Sequence, residues 1–199
     1  MNDYCAVPCF PEAIVYVSTV NVDKNIILDY MKKVTFIKLN QGKNCYMSKD
    51  INVFDGLSFL KDEAKKHVEQ YIRKIMSYNM DFKFLNSWVS KTEPKGESEA
   101  HSHSNTFLSG VYYPEGSEGF SISFFKKQQF FWHIKTDEIN NFNATSQTVQ
   151  ITNDNTLILF PSDLRHKIDL NNSNVDRYSL AFNINPSGYI GSGDGRIFF

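Results

Sequence analysis

Residues 177–185 read Arg-Tyr-Ser-Leu-Ala-Phe-Asn-Ile-Asn, and along an extended chain successive side chains point to opposite faces. Tyr178, Leu180, Phe182 and Ile184 then form one wholly apolar face, while Arg177, Ser179, Ala181 and Asn183 form the other. The apolar face requires a layer to pack against. The small polar face suits the concave side of a sheet that lines a ligand cavity.

Working outward, the chain from Phe82 onward consists of short apolar runs separated by Gly, Pro, Asn and Asp turns, the texture of an antiparallel sandwich or barrel. Strands are expected over 82–90, 101–113, 119–125, 148–152, 156–160, 166–170 and 177–185, with turns at 114–116, 153–155 and 171–174. The stretch 126–147 reads as a long loop over one mouth of the barrel. In the strand beginning at His101, an unbroken extended run puts His101, His103, Asn105, Phe107, Ser109, Val111 and Tyr113 on one face. A bulge between Ser104 and Thr106 would break that register.

The layer for the apolar face is visible upstream. Leu57, Leu60, Ala64, Val68, Tyr71, Ile72 and Ile75 recur at helical spacing, and Asp55 or Ser58 is placed to cap the helix. Before it, residues 13–20 read as a strand, 23–33 as a short helix and 34–39 as a strand. No internal repeat or low-complexity linker interrupts the 199 residues. They read as one domain: a mixed α/β support over 1–80, a β core over 82–185 and a tail over 186–199.

Composition narrows the function classes. Aromatics make up 15% of the chain, with 17 Phe and 10 Tyr, ample material for a packed core. A net charge of −1 gives no field for nucleic acid or an anionic membrane surface. No apolar run reaches bilayer length, and the first 20 residues lack the layout of a secretory signal. Cys5, Cys9 and Cys45 are odd in number and lack CxxC spacing, which argues against disulfides or a thiolate zinc site and for a cytoplasmic setting.

The histidines carry the chemistry. His101-Ser102-His103 is an H-x-H pair, and His166 opens a strand after the Pro161-Ser162 turn. Imidazole suits iron, zinc, copper or nickel, and three facial ligands leave sites open for a chelating co-substrate and oxygen. Each piece alone is usually two surface histidines or a single loop one. Their conjunction with Arg177, eleven residues after His166, is more specific, because a guanidinium grips a carboxylate through two bonds. His67 and His133 read as ordinary structural residues.

These residues resemble a known family. Asn86-Ser87-Trp88, the segments 101–113 and 159–166, and the segment 176–183 are similar to the 2-oxoglutarate/Fe(II) oxygenases of phage and marine bacterial genomes. The resemblance covers about 82–185. It implies a mainly β fold with flanking helices, a double-stranded β-helix (jelly-roll, cupin-like) with a supporting helix layer. It further implies Fe(II) and 2-oxoglutarate, with His101 and His166 as iron ligands and Arg177 on the far carboxylate of 2-oxoglutarate. Tyr113 and Ser109 match places from which relatives add hydroxyl hydrogen bonds, with Ser179 and Asn86 on neighbouring strands. The partners implied are 2-oxoglutarate, O2 and an unidentified prime substrate.

One position departs from the family pattern: His103 stands where Asp or Glu is usual. Three neutral imidazoles would leave the ion its full charge. Glu99 and Asp163 are near enough in sequence to substitute, and His103-x-Asn105 is an alternative pair, but the three-His set is preferred. Two other readings remain open: a three-His cupin dioxygenase that does not use 2-oxoglutarate, and a non-catalytic jelly-roll binding or structural module. The aromatic 130–132 run and the Gly-rich 188–195 tail are candidates for shaping the substrate site. Oligomeric state is open, with a two-fold homodimer the commonest assembly by default.

Overall fold

The computed structural model describes residues 13–127, 135–140 and 143–199. Cys5, Cys9, the 130–132 run and His133 lie outside the described residues. In chain order the elements are β1 (Tyr16–Thr19), α1 (Lys24–Lys33), β2 (Phe36–Lys38), β3 (Gly42–Ser48) and α2 (Ser58–Glu69), which runs into a π-helical turn at Gln70–Ile75. There follow β4 (Asp81–Ser98), β5 (Leu108–Tyr113), β6 (Ser121–Phe125), β7 (Ser146–Gln150), β8 (Thr156–Pro161), β9 (Arg165–Ile168) and β10 (Arg177–Ser187). A small hairpin of β11 (Tyr189–Ile190) and β12 (Ile197–Phe198) ends the chain.

Two antiparallel sheets face each other, one in the order β1-β8-β5-β10-β4-β3-β2 and one in the order β7-β6-β9. This is the double-stranded β-helix with an outer helix layer. The parity of β10 holds: Leu180, Phe182 and Ile184 are fully buried in one core cluster with Ile27 and Met31 of α1 and with Leu60, Ala64 and Val68 of α2. A second apolar cluster, including Phe120, Ile122, Phe124, Phe160 and Tyr113, fills the space between the sheets. Burying a side chain such as Phe182 contributes about 1.5–3 kcal/mol. Phe182 leaves no room opposite it, because a Cβ on Gly110 would lie 2.2 Å from its ring.

Several expectations need correction. Helix α2 has no side-chain cap, from Asp55, Ser58 or any other residue: the capping position is Leu57, 2% exposed and used for the core. A 3-10 turn at Val53–Asp55 leads into it instead. Strand β3 lies beyond the strand expected over 34–39, pairing with both β2 and β4. Strand β4 continues past Ser90 to Ser98 despite Pro94, since Lys95 takes a left-handed conformation (φ 61°) and the β3 pairing shifts register. The 101–113 segment is not one strand. It breaks before Leu108 at a turn where Asn105 has φ 58°, which swings Asn105 and Phe107 outward. Strand β7 starts two residues before the expected 148 and ends at Gln150. The tail folds as the β11–β12 hairpin, and none of its residues lines the cavity described next.

Candidate metal centre and co-substrate cavity

His101 and His166 form an isolated antiparallel bridge between the segment after β4 and the second residue of β9. Both main-chain bonds are made, His101 N–H to His166 O at 2.9 Å and His166 N–H to His101 O at 2.8 Å. Directly opposed residues of such a pair project on the same side, so both imidazoles enter the space between the sheets. Two residues on, His103 N–H donates to Ser162 O at 2.9 Å, which ties the third ring to the β8–β9 turn. The ring centroids of the three histidines lie 4.6–5.4 Å apart. One ligand atom from each falls within 4.8 Å of the others.

Hydrogen bonding sets which nitrogen is offered. Nδ1 of His101 meets Glu99 O at 2.9 Å, Nδ1 of His166 meets Leu164 O at 2.9 Å, and Nδ1 of His103 meets Asn183 Oδ1 at 2.9 Å. All three acceptors are carbonyl oxygens, so Nδ1 is the donor and Nε2 carries the lone pair. This arrangement orients imidazole ligands. Burial pushes His166 down to about 3 and lowers His103, so both rings are neutral, as a ligand must be. Behind His103, Ser109 Oγ donates to Asn183 Oδ1 at 2.8 Å and lies 2.8 Å from Ser162 Oγ. Asn183 is an orienting residue that sequence reasoning did not assign; its place on the polar face of 177–185 was the available signal.

The candidate carboxylates stay away. Among the described residues the ligand cluster contains histidine only. The Glu99 side chain is exposed and serves His101 through its main chain; Asp163 faces solvent near Lys127. Asn105 is exposed, its carbonyl accepting from Asn185 Nδ2. His67 is taken up by Tyr16, whose hydroxyl lies 2.8 Å from Nδ1.

A cavity of about 340 Å³ opens beside the histidines, within the range of small-molecule sites. Its wall is built in register. Asn86 pairs with Asn183, Trp88 with Ala181, Ser90 with Ser179 and Thr92 with Arg177; Ser109 pairs with Asn183 and Val111 with Ala181. The structure therefore places Asn86 and Ser109 at the histidine end, and Ser179 and Tyr113 toward Arg177. Thr92, Ser98 and Cys45 also line the cavity and were missed because the expected strands stopped short of them.

Arg177 lies behind this wall, 2% exposed. Its Nη1 donates to Ser121 O and its Nη2 to Asp169 O, each at 3.2 Å, and its guanidinium lies 5.3 Å from the Phe120 ring centroid. Burial lowers its pKa. Among the described residues no carboxylate comes within ion-pair distance of it, and the Asp169 carboxylate is held by Ser121 and Ser123. Tyr113 Oη is buried without a partner, and burial pushes the phenol up to about 12. A buried cation and an unmet donor together favour an anion. With three converging ring nitrogens at the other end, the residues fit a divalent metal and a dicarboxylate.

A jelly-roll with three converging histidines at one cavity defines a candidate metal-dependent protein, and sequence comparison supplies the family. Residues 86–183 match the family model described as "Putative 2OG-Fe(II) oxygenase". Residues 86–183 form a domain of the 2-oxoglutarate/Fe(II)-dependent oxygenase family. No curated protein matches the chain in sequence. Among solved structures, it is similar to HygX from Streptomyces hygroscopicus with nickel and 2-oxoglutarate bound: TM-score 0.61, 11% identity, 86% of this chain and 82% of that one. It is also similar to the epimerase SnoN in complex with Fe3+, alpha ketoglutarate and nogalamycin RO (TM-score 0.64, 10% identity, 87% and 79% covered). A prolyl hydroxylase from Trichoplax adhaerens gives TM-score 0.59 at 10% identity, with 85% and 82% covered. At these identities the structural likeness concerns the fold. No helix among the described residues is long and apolar enough to cross a membrane.

Proposed function

We propose that the chain is a single-domain Fe(II)- and 2-oxoglutarate-dependent hydroxylase. His101, His103 and His166 hold the iron through Nε2, and Arg177, Tyr113 and Ser179 seat the far carboxylate of 2-oxoglutarate. The observation that carries this reading is a pair of opposed features about one cavity: three oriented imidazoles that line it at one end, and a buried Arg177 without a counter-ion behind its wall toward the other.

When bound, the ferrous ion supplies oxygen activation: one atom of O2 goes to succinate as 2-oxoglutarate loses CO2, and the other enters a substrate C–H bond. The chain's own residues perform the remaining tasks. Main-chain carbonyls fix His101 and His166, and Asn183 fixes His103. Arg177 has donors left after its two carbonyl bonds, and Tyr113 remains a protonated donor at neutral pH. The apolar contacts of Phe160 and Phe124 around His166 exclude water from the ligand side. His103 in place of a carboxylate leaves the ion one charge more positive, and the 2-oxoglutarate dianion offsets it.

The test is succinate formation dependent on ferrous iron and 2-oxoglutarate, which even substrate-free enzyme gives slowly through uncoupled turnover. Loss in His166→Ala supports the reading. Absence of succinate in the wild type, with a reductant and varied substrates present, contradicts it. The all-histidine ligand set favours one second reading, a three-His dioxygenase that does not use 2-oxoglutarate. In that case Arg177→Ala leaves metal-dependent oxygen consumption intact.

A further inference from the structure

Among the described residues two buried side-chain polar atoms lack a partner, Tyr113 Oη and Asn86 Oδ1. They differ in kind: a phenol can donate, whereas a carboxamide oxygen only accepts. They also stand at different levels. Tyr113 is toward Arg177, while Asn86 sits across from Asn183, the residue that bonds to His103. The levels of Ser179 and Asn183 are about 13 Å apart along the strand at its usual rise. A dianion satisfies a phenol and a guanidinium but is repelled by a carboxamide oxygen. The unmet acceptor at the histidine end therefore serves the other substrate.

The surroundings narrow that substrate's chemistry. The Trp88 ring lies 5.7 Å from the His103 ring, centroid to centroid. Leu39, Tyr46 and Met47, from the β2–β3 side, continue the apolar lining farther along the same cavity, where Met47 pairs with Ser90 and Tyr46 with Lys91. Among the described residues no Asp, Glu, Lys or Arg lines this cavity. The nearby charges, among them Glu97, Arg165 and Lys167, line a separate open groove that meets the cavity at Ser98. An ammonium, carboxylate or phosphate at this wall would lose its hydration with no counter-charge in return.

Resting on the oxygenase reading above, we infer that the prime substrate presents an uncharged, mainly apolar group bearing an N–H or O–H donor. That group packs on Trp88 and donates to Asn86 Oδ1, which makes Asn86 a specificity-determining residue. The substrate class is a neutral amide, lactam or alcohol at the reacting end, not a free amino acid, a polyamine or a phosphate ester.

A matched pair of probes tests this: δ-valerolactam and its N-methyl derivative, alike except for the single donor. Each is titrated anaerobically into the protein loaded with Fe(II) and 2-oxoglutarate, and the shift of the visible charge-transfer band is read. The N–H lactam is expected to bind at least about tenfold more tightly than its N-methyl partner, a difference of about 1.4 kcal/mol. Asn86→Leu should keep the band, which shows an intact iron and 2-oxoglutarate site, and lose the preference; Asn86→Gln, which retains a neutral acceptor, should keep both. Equal binding of the two lactams, no response to either, or an undiminished preference in Asn86→Leu overturns the inference while the oxygenase reading stands. Absence of the band in the wild type overturns both.

Discussion

His101 and His166 clamp each other through a reciprocal pair of main-chain hydrogen bonds at 2.9 and 2.8 Å, with their rings 4.6 Å apart. The backbone holds the two imidazoles together without help from either side chain. Removing one ring should therefore leave the fold and the other ring in place. We expect His166→Ala to fold and to lose metal affinity by more than the roughly 10- to 100-fold typical of residues that only orient ligands. Iron content and calorimetric titration check this; one ion per chain at wild-type affinity would contradict it.

Asn183 should act through His103. Its Oδ1 accepts from His103 Nδ1 and from Ser109. Asn183→Leu removes the acceptor, frees the ring to change tautomer, and should weaken metal binding by about 10- to 100-fold. Asn183→Asp keeps the acceptor and should restore most of it. The electronic spectrum of the Co(II)-substituted protein gives a second readout, since a merely structural role would not alter the ligand field of a folded variant.

Arg177→Lys keeps the charge and loses the planar fork. Lysine cannot donate to Ser121 O, Asp169 O and a ligand carboxylate in the same geometry. We expect 2-oxoglutarate affinity to fall about tenfold or more, about 1.4 kcal/mol. Loss of these part-buried bonds to Ser121 O and Asp169 O costs a further ~1 kcal/mol of stability. Titration with 2-oxoglutarate and a thermal melt separate the two effects.

Alkaline pH should expose the buried phenols as a group. Burial holds Tyr71 and Tyr113 up at about 12 and raises Tyr112 further. Unfolded tyrosine ionises near pH 10, so above that the unfolded state sheds protons that the native state keeps. The stability from these three groups is complete below about pH 10 and is lost as pH rises toward about 12. Absorbance at the phenolate band should show them still neutral at pH 11 in the folded protein and ionising together with unfolding; independent ionisation near pH 10 would contradict this.

The sequence was most legible where period and burial agree. On β10 the two faces of residues 177–185 went where alternation puts them, one into the helix-packed core and one toward the cavity. The three histidines were readable as a set and converge. The long strand expected from His101 failed because Asn105 tolerates a left-handed backbone, and a local turn outweighs alternation. The clustering of His101, His103, Ser109, Val111 and Tyr113 survived for a tertiary reason, the bridge from His101 to His166. Thr92 and Ser98 lie on the bulged continuation of β4 past the strand expected over 82–90, and Cys45 lies on β3, past the strand expected over 34–39. The roles of Asn183 and of the unmet Asn86 oxygen depend on cross-strand neighbours, which periodicity alone does not name.

Anaerobic titration of the metal-free protein with Fe(II) and 2-oxoglutarate bears most directly on the three-histidine centre paired with Arg177. A visible charge-transfer band should appear with both added, saturate at one iron per chain, and vanish in His166→Ala and in Arg177→Ala. Iron binding without the band in the wild type, or a band unchanged in both variants, would contradict that assignment.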